Sequence, residues 1–419
     1  MRKWTRMLAL AALLALTAGC GAPVRAGAEA ALSYEEAAAR VRGDGDAVCL
    51  FAANVGKGDA LILRVGDWTG LIDTGKTWAR GRVASGLSLM GVNHAPGDAA
   101  GLDALFITHT DKDHVGGLDW MAAESDWLPL RGTAICAPAM YTDVEEEEHP
   151  AVLAAGALGL ETRWLRRGDM IPLGDTGATL RVLAPNSLYR DKDDNNSLVL
   201  LLESPQGRML LTGDMELPEE AELLSLGDDL ACAVLKVPNH GDNDTTSGEF
   251  ARRAAAQIAL ISTDSREKPG TPDPGVVSRL EAAGSRVVVT EGSGLGVLVT
   301  LKGGVADARP VDFGASPVAG LSIAGVDASD DRITLQNTGD AAVGLWGFYL
   351  FSEKGDELFA FPDGASVAPG ETLTVGTRST EGRFDLLWDD KKVVNRKKAD
   401  AICLYDPWGR LLDRVGNGL

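Results

Sequence analysis

The stretch "ITHTDKDHVGG", residues 107–117, contains two histidines, two aspartates and a lysine within six positions, followed by a glycine pair. The stretch begins at the end of the apolar run "LDALFIT", which predicts a buried strand. A tight loop after a strand can aim His109, Asp111, Asp113 and His114 at one point, and imidazole and carboxylate groups suit Zn²⁺, Mn²⁺ or Fe²⁺. The alternative is a solvated turn of charges. The complete His-x-Asp-x-Asp-His-x-Gly-Gly pattern favours a metal loop.

Two more polar groups follow apolar runs and adjoin glycine. Asp214 ends "MLLTGD" and His240 lies in "LKVPNHG". Taken alone, Asp214 is typical of a helix N-cap, because "MELPEE" follows it, and His240 is typical of an ordinary loop histidine. Since one metal needs three or four ligands, these additional groups would allow a second metal.

Short apolar runs alternate with helical stretches from about residue 45 to residue 303. "AVCLFAANV", "DALILRV" and "TGLIDTG" predict successive strands, and "SLVLLLES" with "GRMLLTGD" predicts a hairpin around "PQG". "SGEFARRAAAQ" and "DPGVVSRLEAAG" predict helices between later strands. This order predicts an α/β domain with two sheets and outer helices.

The composition changes after that domain. "GGVADARPVDFGAS" begins a segment that we interpret as a linker over residues 304–317. Residues 318–419 contain short strand patterns separated by turn signals, such as "RITLQNTGD" and "PDGASVAPGETLTVG". That spacing predicts an all-β sandwich.

The order of these motifs resembles the metallo-β-lactamase superfamily, specifically the hydrolase domain of the competence protein ComEC and its stand-alone relatives. The resemblance covers roughly residues 47–301. It rests on "NVGKGDALIL", "LIDTG", "THTDKDHVGG", "DDNNSLVLLL", "LLTGD" and "LKVPNHG". It implies an αββα sandwich over residues 45–303. The C-terminal segment resembles a lamin-tail domain, which implies an immunoglobulin-like sandwich.

The resemblance also implies a ligand set for two divalent metals, with zinc as the first expectation and manganese or iron as alternatives. In the family, the aspartate that matches Asp214 bridges the metals, and the buried aspartate that matches Asp73 is expected to order a ligand. The implied metal ligands are His109, Asp111, Asp113, His114, Asp214 and His240. Of these, Asp113, Asp214 and His240 are the expected catalytic residues.

Four positions depart from the family pattern. Asn54 replaces the opening aspartate, and Lys57 replaces the usual glutamine. Asn239 replaces the first histidine of His-His-Gly, so only His240 can ligate there. Thr271 occupies a position where some relatives carry a histidine.

Substrate contacts are the least defined part of the expected site. For a phosphodiester, a metal-activated water would attack in line. A positive side chain or a backbone N–H should then stabilise the remaining oxygens. Lys236, Asn239 and Thr245 are the candidates for these contacts.

The N-terminus reads as a targeting segment. Arg2, Lys3 and Arg6 precede the short apolar run "MLALAALLALTA", which ends at "LTAGC". This end resembles a bacterial lipobox, which implies a signal peptide over residues 1–19 and lipidation of Cys20. The alternative is a plain secreted protein. Residues 20–44 are expected to be a tether with a short helix around "SYEEAAARV", and the mature chain is expected to be exported.

Composition and residue spacing limit the roles that the remaining charged residues, cysteines and histidines can have. The formal net charge of −20 argues against a protein that coats duplex DNA. Four further cysteines show no CxxC spacing and are expected to be small buried residues: Cys49, Cys136, Cys232 and Cys403. His94 and His149 are expected in surface loops, and "DKDDNN" is expected to be a charged loop.

The sequence thus predicts an exported dinuclear metal hydrolase acting on phosphodiesters, with nucleic acid or an envelope polymer as substrate. A phosphorylcholine-esterase-like enzyme is the nearest alternative, because it shares the HxDxDH pattern. A binding scaffold without catalysis is the third, since Asn54 and Asn239 depart from the family. Expected partners are the substrate, the membrane through Cys20, and envelope or nucleic acid through the C-terminal domain.

Overall fold

A computed structural model describes residues 30–92, 101–124, 134–142, 144–314 and 318–418. Cys20, the signal segment 1–19 and His94 lie outside these residues, and so does part of the expected tether and linker.

Eight strands form the first sheet, in the order β15-β14-β1-β2-β3-β4-β5-β6. Antiparallel pairing joins β15 through β3, and parallel pairing joins β3 through β6. The strands are β1 (Val48–Ala53), β2 (Leu61–Val65), β3 (Trp68–Ile72), β4 (Ala104–Phe106), β5 (Ala134–Pro138), β6 (Glu161–Leu165), β14 (Gly296–Lys302) and β15 (Val305–Val311).

Seven strands form the second sheet, in the order β13-β12-β11-β10-β9-β8-β7. The predicted hairpin around "PQG" is the antiparallel pair of β9 and β10. The strands are β7 (Met170–Pro172), β8 (Thr179–Ala184), β9 (Val199–Ser204), β10 (Gly207–Leu211), β11 (Val234–Lys236), β12 (Ile258–Ile261) and β13 (Arg286–Val289).

Helices cover the outer faces of both sheets. In β1, Phe51 packs toward the helices and Leu50 packs toward the second sheet, so alternate residues serve two cores. None of the helices in the described ranges is long and apolar enough to cross a membrane. The helices are α1 (Tyr34–Gly43), α2 (Arg80–Leu89), α3 (Lys112–Val115), α4 (Leu118–Ala123), α5 (Pro150–Leu158), α6 (Leu217–Ser225), α7 (Gly248–Ala254) and α8 (Pro274–Ala282). The αββα sandwich expected from the sequence is confirmed.

Two expected domain boundaries are wrong. Within the expected tether, α1 buries Ala37, Ala38 and Val41 against the first core, so residues 30–44 pack on the domain. Within the expected linker, Val305–Val311 is β15, paired antiparallel with β14. The composition of this segment suggested a linker, but β15 is an edge strand of the first sheet, where Pro310 is tolerated.

The C-terminal segment forms a separate β-sandwich, as predicted. Two four-stranded sheets, β16-β17-β22-β23 and β20-β19-β24-β25, enclose one apolar core, and β18 pairs with β21 beside them. The strands are β16 (Leu321–Asp327), β17 (Arg332–Asn337), β18 (Val343–Gly344), β19 (Tyr349–Ser352), β20 (Glu357–Ala360), β21 (Ser366–Val367), β22 (Thr372–Gly376), β23 (Leu386–Leu387), β24 (Ala401–Tyr405) and β25 (Leu411–Gly416).

The β-sandwich packs against the start of α2. The hydroxyl of Tyr349 donates to the carbonyl of Trp78 at 2.7 Å and accepts from the N–H of Gly81 at 3.3 Å. The turn between β19 and β20 reaches the predicted metal loop, where Asp356 lies 3.7 Å from the ammonium of Lys112. The second domain therefore borders the candidate site.

Candidate metal centre

Strand ends from both sheets meet at one edge of the αββα sandwich. Asp73 directly follows β3, and His109 lies three residues after β4 in the parallel part of the first sheet. Asp214 and His240 follow β10 and β11 in the parallel part of the second sheet. Because carboxyl ends of parallel strands share an edge, separate segments deliver their polar groups to one place.

The predicted metal loop turns directly into α3, and Asp111 is its N-cap residue. The carbonyl of His114 accepts from the N–H of Thr74 at 2.7 Å, which fixes the turn against the end of β3. The glycine pair permits this close packing, because a Cβ on Gly117 would lie 2.6 Å from the carbonyl oxygen of Thr74.

His114 and His240 face each other at the centre of the site, with their Nε2 atoms 3.3 Å apart. The carboxylate Oδ2 of Asp214 lies 3.3 Å from Nε2 of His114 and 2.9 Å from Nε2 of His240. Asp113 Oδ2 is 3.6 Å from Nε2 of His240. All are buried except Asp113, which is partly exposed.

The partners of the two Nδ1 atoms determine which ring nitrogens are free. Nδ1 of His114 lies 2.7 Å from Asp73 Oδ2, and Nδ1 of His240 lies 2.8 Å from the carbonyl of Ser262. Because both partners are acceptors, each Nδ1 carries a proton. One additional proton on His114 could serve only one neighbouring acceptor, whereas a divalent cation can be coordinated by the whole group. The donor set therefore fits a metal ion.

A second group of ligand atoms adjoins the first. His109, Asp111 and Asp194 offer atoms that lie within 4.8 Å of one another, and so do His109, His114 and Asp214. Nε2 of His109 and Oδ1 of Asp214 are buried without a hydrogen-bond partner. Because Asp214 belongs to groups on both sides, the residues present fit two neighbouring metal ions.

Asp194 was not among the metal ligands predicted from the sequence. The segment "DKDDNN" was expected to be a charged loop, but Asp193–Asn196 is a 3₁₀ helix with all four residues buried. Asp193 Oδ2 holds the metal loop by accepting from the N–H of Thr110 at 3.0 Å. One sequence signal could have indicated that Asp194 lies at the site, namely that the charged run directly precedes a buried strand.

Asp59 was missed as well. It lies in the "GKGD" turn, is buried, and pairs with the ammonium of Lys236. Lys236 also donates to the carbonyl of Gly213 at 3.1 Å and lies 3.6 Å from Asp214 Oδ1. Lys236 is fully buried, so the expected contact with substrate is wrong. Its ammonium instead balances the carboxylates behind the site.

The other two expected substrate contacts are also largely enclosed. Thr245 is fully buried and its hydroxyl donates to the carbonyl of Asp242 at 3.0 Å, so it supports the loop rather than meeting a substrate. Asn239 is buried and donates to Glu216 Oε1 at 3.3 Å. Its φ of 40° and the φ of 54° at His240 are left-handed, a conformation that asparagine tolerates.

Lys57 reaches the rim of the site beside Asp113. Its Nζ lies 3.3 Å from Asp113 Oδ2, and its side chain is 21% exposed. Burial lowers the pKa of Lys57, but Asp214 and Asp113 together raise it above the ordinary lysine value. The ammonium is therefore charged at neutral pH and accessible from solvent.

The electrostatics keep Asp113, Asp214 and His240 in the protonation states that bind metals. Burial raises the pKa of Asp113, but His114, His240 and Lys57 lower it to about 2. Burial likewise raises the pKa of Asp214, and the charges of His240 and His114 bring it well below the ordinary value. Burial is the main cause of the lowered pKa of His240. Ionised carboxylates and a neutral imidazole are the forms that bind metals.

The pKa of His114 is shifted in the opposite direction from that of His240. Burial lowers the pKa of His114, but Asp214 and Asp73 raise it well above 6.5. A metal ion that binds at Nε2 must therefore displace a proton, so metal affinity rises with pH.

Outside the centre, the surface-loop expectation for His149 is wrong. His149 is fully buried, and its Nδ1 accepts from the N–H of Ala151 at the start of α5. The four described cysteines are free thiols, and Cys232 is half-buried whereas Cys49, Cys136 and Cys403 are buried.

Fold and site define a two-domain protein, with an αββα sandwich that carries a candidate metal centre followed by an immunoglobulin-like β-sandwich. The beta-lactamase superfamily domain matches residues 70–261, and the lamin tail domain matches residues 314–418. The chain therefore contains a metallo-β-lactamase-fold domain and a lamin tail domain, as the motifs predicted.

Similar proteins include competence proteins. ComE operon protein 3 of Bacillus subtilis (strain 168) is 28% identical over 193 residues, which are 46% of this chain and 24% of that protein. Competence protein ComA of Neisseria gonorrhoeae is 27% identical over 243 residues, covering 58% of this chain and 30% of that protein. The similarity thus spans less than a third of either relative.

A solved structure is similar at lower identity. The metallo-beta-lactamase fold protein YhfI from Bacillus subtilis is 13% identical, with a TM-score of 0.39, over 63% of this chain and 99% of that chain.

Proposed function

We propose that this chain is a metal-dependent hydrolase that cleaves phosphodiester bonds in nucleic acid. The observation that carries the proposal is the convergence of His114, His240, Asp214 and Asp113 on one buried point, with Lys57 at its open side. The relatives named as competence proteins favour DNA over other phosphodiesters.

Each residue near the centre has a distinct task. Two divalent ions held there would lower the pKa of a water molecule and neutralise charge on the attacked phosphate. Asp214 lies where one carboxylate can serve both ligand groups. Lys57 presents its ammonium at the rim, where it can hold a non-bridging phosphate oxygen. Asp73 fixes the ring of His114.

Metal content and hydrolysis test the proposal together. Purified protein should contain about two transition-metal ions per chain and hydrolyse bis(p-nitrophenyl) phosphate and single-stranded DNA. His114→Ala should lose both properties. His149→Asn is the matched control, because His149 is an equally buried histidine outside the centre.

Three outcomes would redirect the assignment. Protein without bound metal and without hydrolysis would support the scaffold alternative. Hydrolysis of a phosphocholine ester but not of DNA would support the esterase alternative. Activity that survives His114→Ala would overturn the proposed centre.

We further propose export and lipidation at Cys20, on the basis of the charged start, the apolar run and "LTAGC". Radiolabelled palmitate should be incorporated into the wild-type chain in a bacterial host and not into Cys20→Ala. A wild-type chain that retains residues 1–19 and carries no lipid would overturn this part of the proposal.

A further inference from the structure

A basic loop on the lamin tail domain contrasts with the acidic chain. Residues 391–398, "KKVVNRKK", include five cations and no acidic residue, whereas the whole chain has a net charge of −20. The five cations are all exposed: Lys391, Lys392, Arg396, Lys397 and Lys398. We call residues 391–398 the basic loop.

Buried carboxylates hold the backbone of the basic loop in place. Asp331 is fully buried and accepts from the N–H groups of Val393 and Val394 at 3.0 and 2.7 Å. Asp400 accepts from the N–H of Asn395 at 2.8 Å. The loop is therefore ordered without use of its lysine side chains.

The lysines of the basic loop have no ion-pair partner within the described residues. Other cations of the same domain do form ion pairs: Arg378 pairs with Asp389 at 2.6 Å and Arg414 pairs with Glu353 at 2.6 Å. Unpaired exposed ammonium groups next to one another repel, and an anionic ligand removes that repulsion.

Three cavities, each sharing lining residues with the next, include the basic loop at one end and the candidate ligand Asp113 at the other. A cavity of about 300 Å³ is lined by residues 392–397 of the basic loop together with Lys354, Gly355, Glu357 and Asp400. Gly355 also lines a second cavity of about 410 Å³, together with Asp356 and Lys112. Asp356 and Lys112 then line a third cavity of about 300 Å³, which contains the candidate ligand Asp113. The three cavities share the turn between β19 and β20.

We propose that this series of cavities is a docking track for the phosphate backbone of single-stranded DNA, with the basic loop as its distal anchor. The proposal rests on the proposed function, because the track ends at the metal centre. Non-specific single-strand grooves follow the phosphate backbone with positive side chains, and the basic loop supplies such side chains at one end of the track. Carboxylates also line the track: Asp356 pairs with Lys112, Asp400 is buried and Glu357 is half-buried, whereas Asp119 is exposed on the wall of the second cavity. The positive charge of the track is therefore concentrated at the basic loop.

Binding and hydrolysis of the full chain test the track separately. The variant is Lys392→Gln/Arg396→Gln/Lys397→Gln, and the matched control is Arg163→Gln/Arg252→Gln/Lys302→Gln, three exposed cations that line none of these cavities. Fluorescence anisotropy with a labelled single-stranded oligonucleotide, on EDTA-treated protein, measures docking without catalysis.

The variant should raise the Kd at least about tenfold, and its plot of log K against log salt should flatten by about 2, since each lost phosphate contact removes about 0.7. It should raise KM for DNA while hydrolysis of bis(p-nitrophenyl) phosphate stays as in the control. Equal loss in variant and control would overturn the track. So would tighter binding of poly(glycerol phosphate) than of the oligonucleotide. If no phosphodiester is hydrolysed yet the variant alone loses DNA binding, the proposed function fails and the docking surface stands.

Discussion

The Nε2 atoms of His114 and His240 lie 3.3 Å apart, although 126 positions separate the two residues in the chain. Neither ring is held by the other. Asp73 orients the first and the carbonyl of Ser262 orients the second, so both lone-pair positions are fixed by groups behind them. The geometry of the candidate metal centre therefore depends on hydrogen bonds to the two Nδ1 atoms, on the side of each ring that faces away from the centre.

Asp73→Asn is expected to weaken metal binding about 10- to 100-fold, because an amide cannot accept the Nδ1 proton of His114 as the carboxylate does. Asparagine tolerates the φ of 58° at this position, so the backbone should be retained. Competition with a chromophoric chelator measures the change.

Asp331→Asn is the control for that substitution. Asp331 is fully buried, has a φ of 57° and accepts backbone N–H groups, but it lies in the other domain. Equal loss of metal affinity in both variants would mean that Asp73 acts only through general stability.

Asp194→Asn tests whether the second group of ligands holds its own ion. Because Asp194 adjoins His109 and Asp111, its loss should reduce bound metal from about two ions to about one, with a matching fall in phosphodiester hydrolysis. Elemental analysis after gel filtration gives the stoichiometry. Asp191→Asn, an exposed neighbour, should keep both ions. A full complement of metal in Asp194→Asn would contradict the assignment.

The motif residues of the site were predictable because each lies next to a recognisable strand. Asp214 and His240 follow apolar runs, so their convergence with His109 and His114 follows from the fold. Asp194 was not predictable from its charge pattern alone, because "DKDDNN" is as polar as a solvated loop. Its 3₁₀ helix is buried because it packs against the metal loop, where Asp193 accepts from the hydroxyl of Thr110.

The role predicted for Lys236 was wrong for the same reason, because it too depends on tertiary packing. A lysine at the end of a strand, beside a predicted ligand segment, suggested a substrate contact. Its true partner, Asp59, comes from the other sheet, and the sequence gives no distance between them. Likewise β15 reads as a linker until its pairing with β14 is known.

Lys236→Met is expected to destabilise the metal-free protein by about 3–5 kcal/mol, because it leaves buried Asp59 without its countercharge. Urea unfolding in EDTA measures this, and Lys236→Met/Asp59→Asn should recover part of the loss. Arg252→Met breaks the exposed pair with Glu249 and should cost less than about 1 kcal/mol. Similar losses for both single variants would refute the buried-pair interpretation.

His149 gives the fold a dependence on pH that is separate from the metal centre. Burial, only partly opposed by Asp193, lowers the pKa of His149 to about 4. The unfolded chain takes up this proton near pH 6.5, whereas the folded chain does so near 4. Stability from the neutral ring is therefore complete above pH 6.5 and is lost as the pH falls toward 4.

His149→Asn should remove this dependence while keeping a cap on α5, because asparagine also accepts from a helix N–H. The difference in free energy of unfolding between wild type and variant should therefore change by on the order of 2 kcal/mol between pH 7 and pH 4.5. Ser247→Ala removes the cap of α7 without a titrating group, so its cost of about 1 kcal/mol should be equal at both pH values. A constant difference between wild type and His149→Asn would show that His149 titrates alike in the folded and unfolded chains.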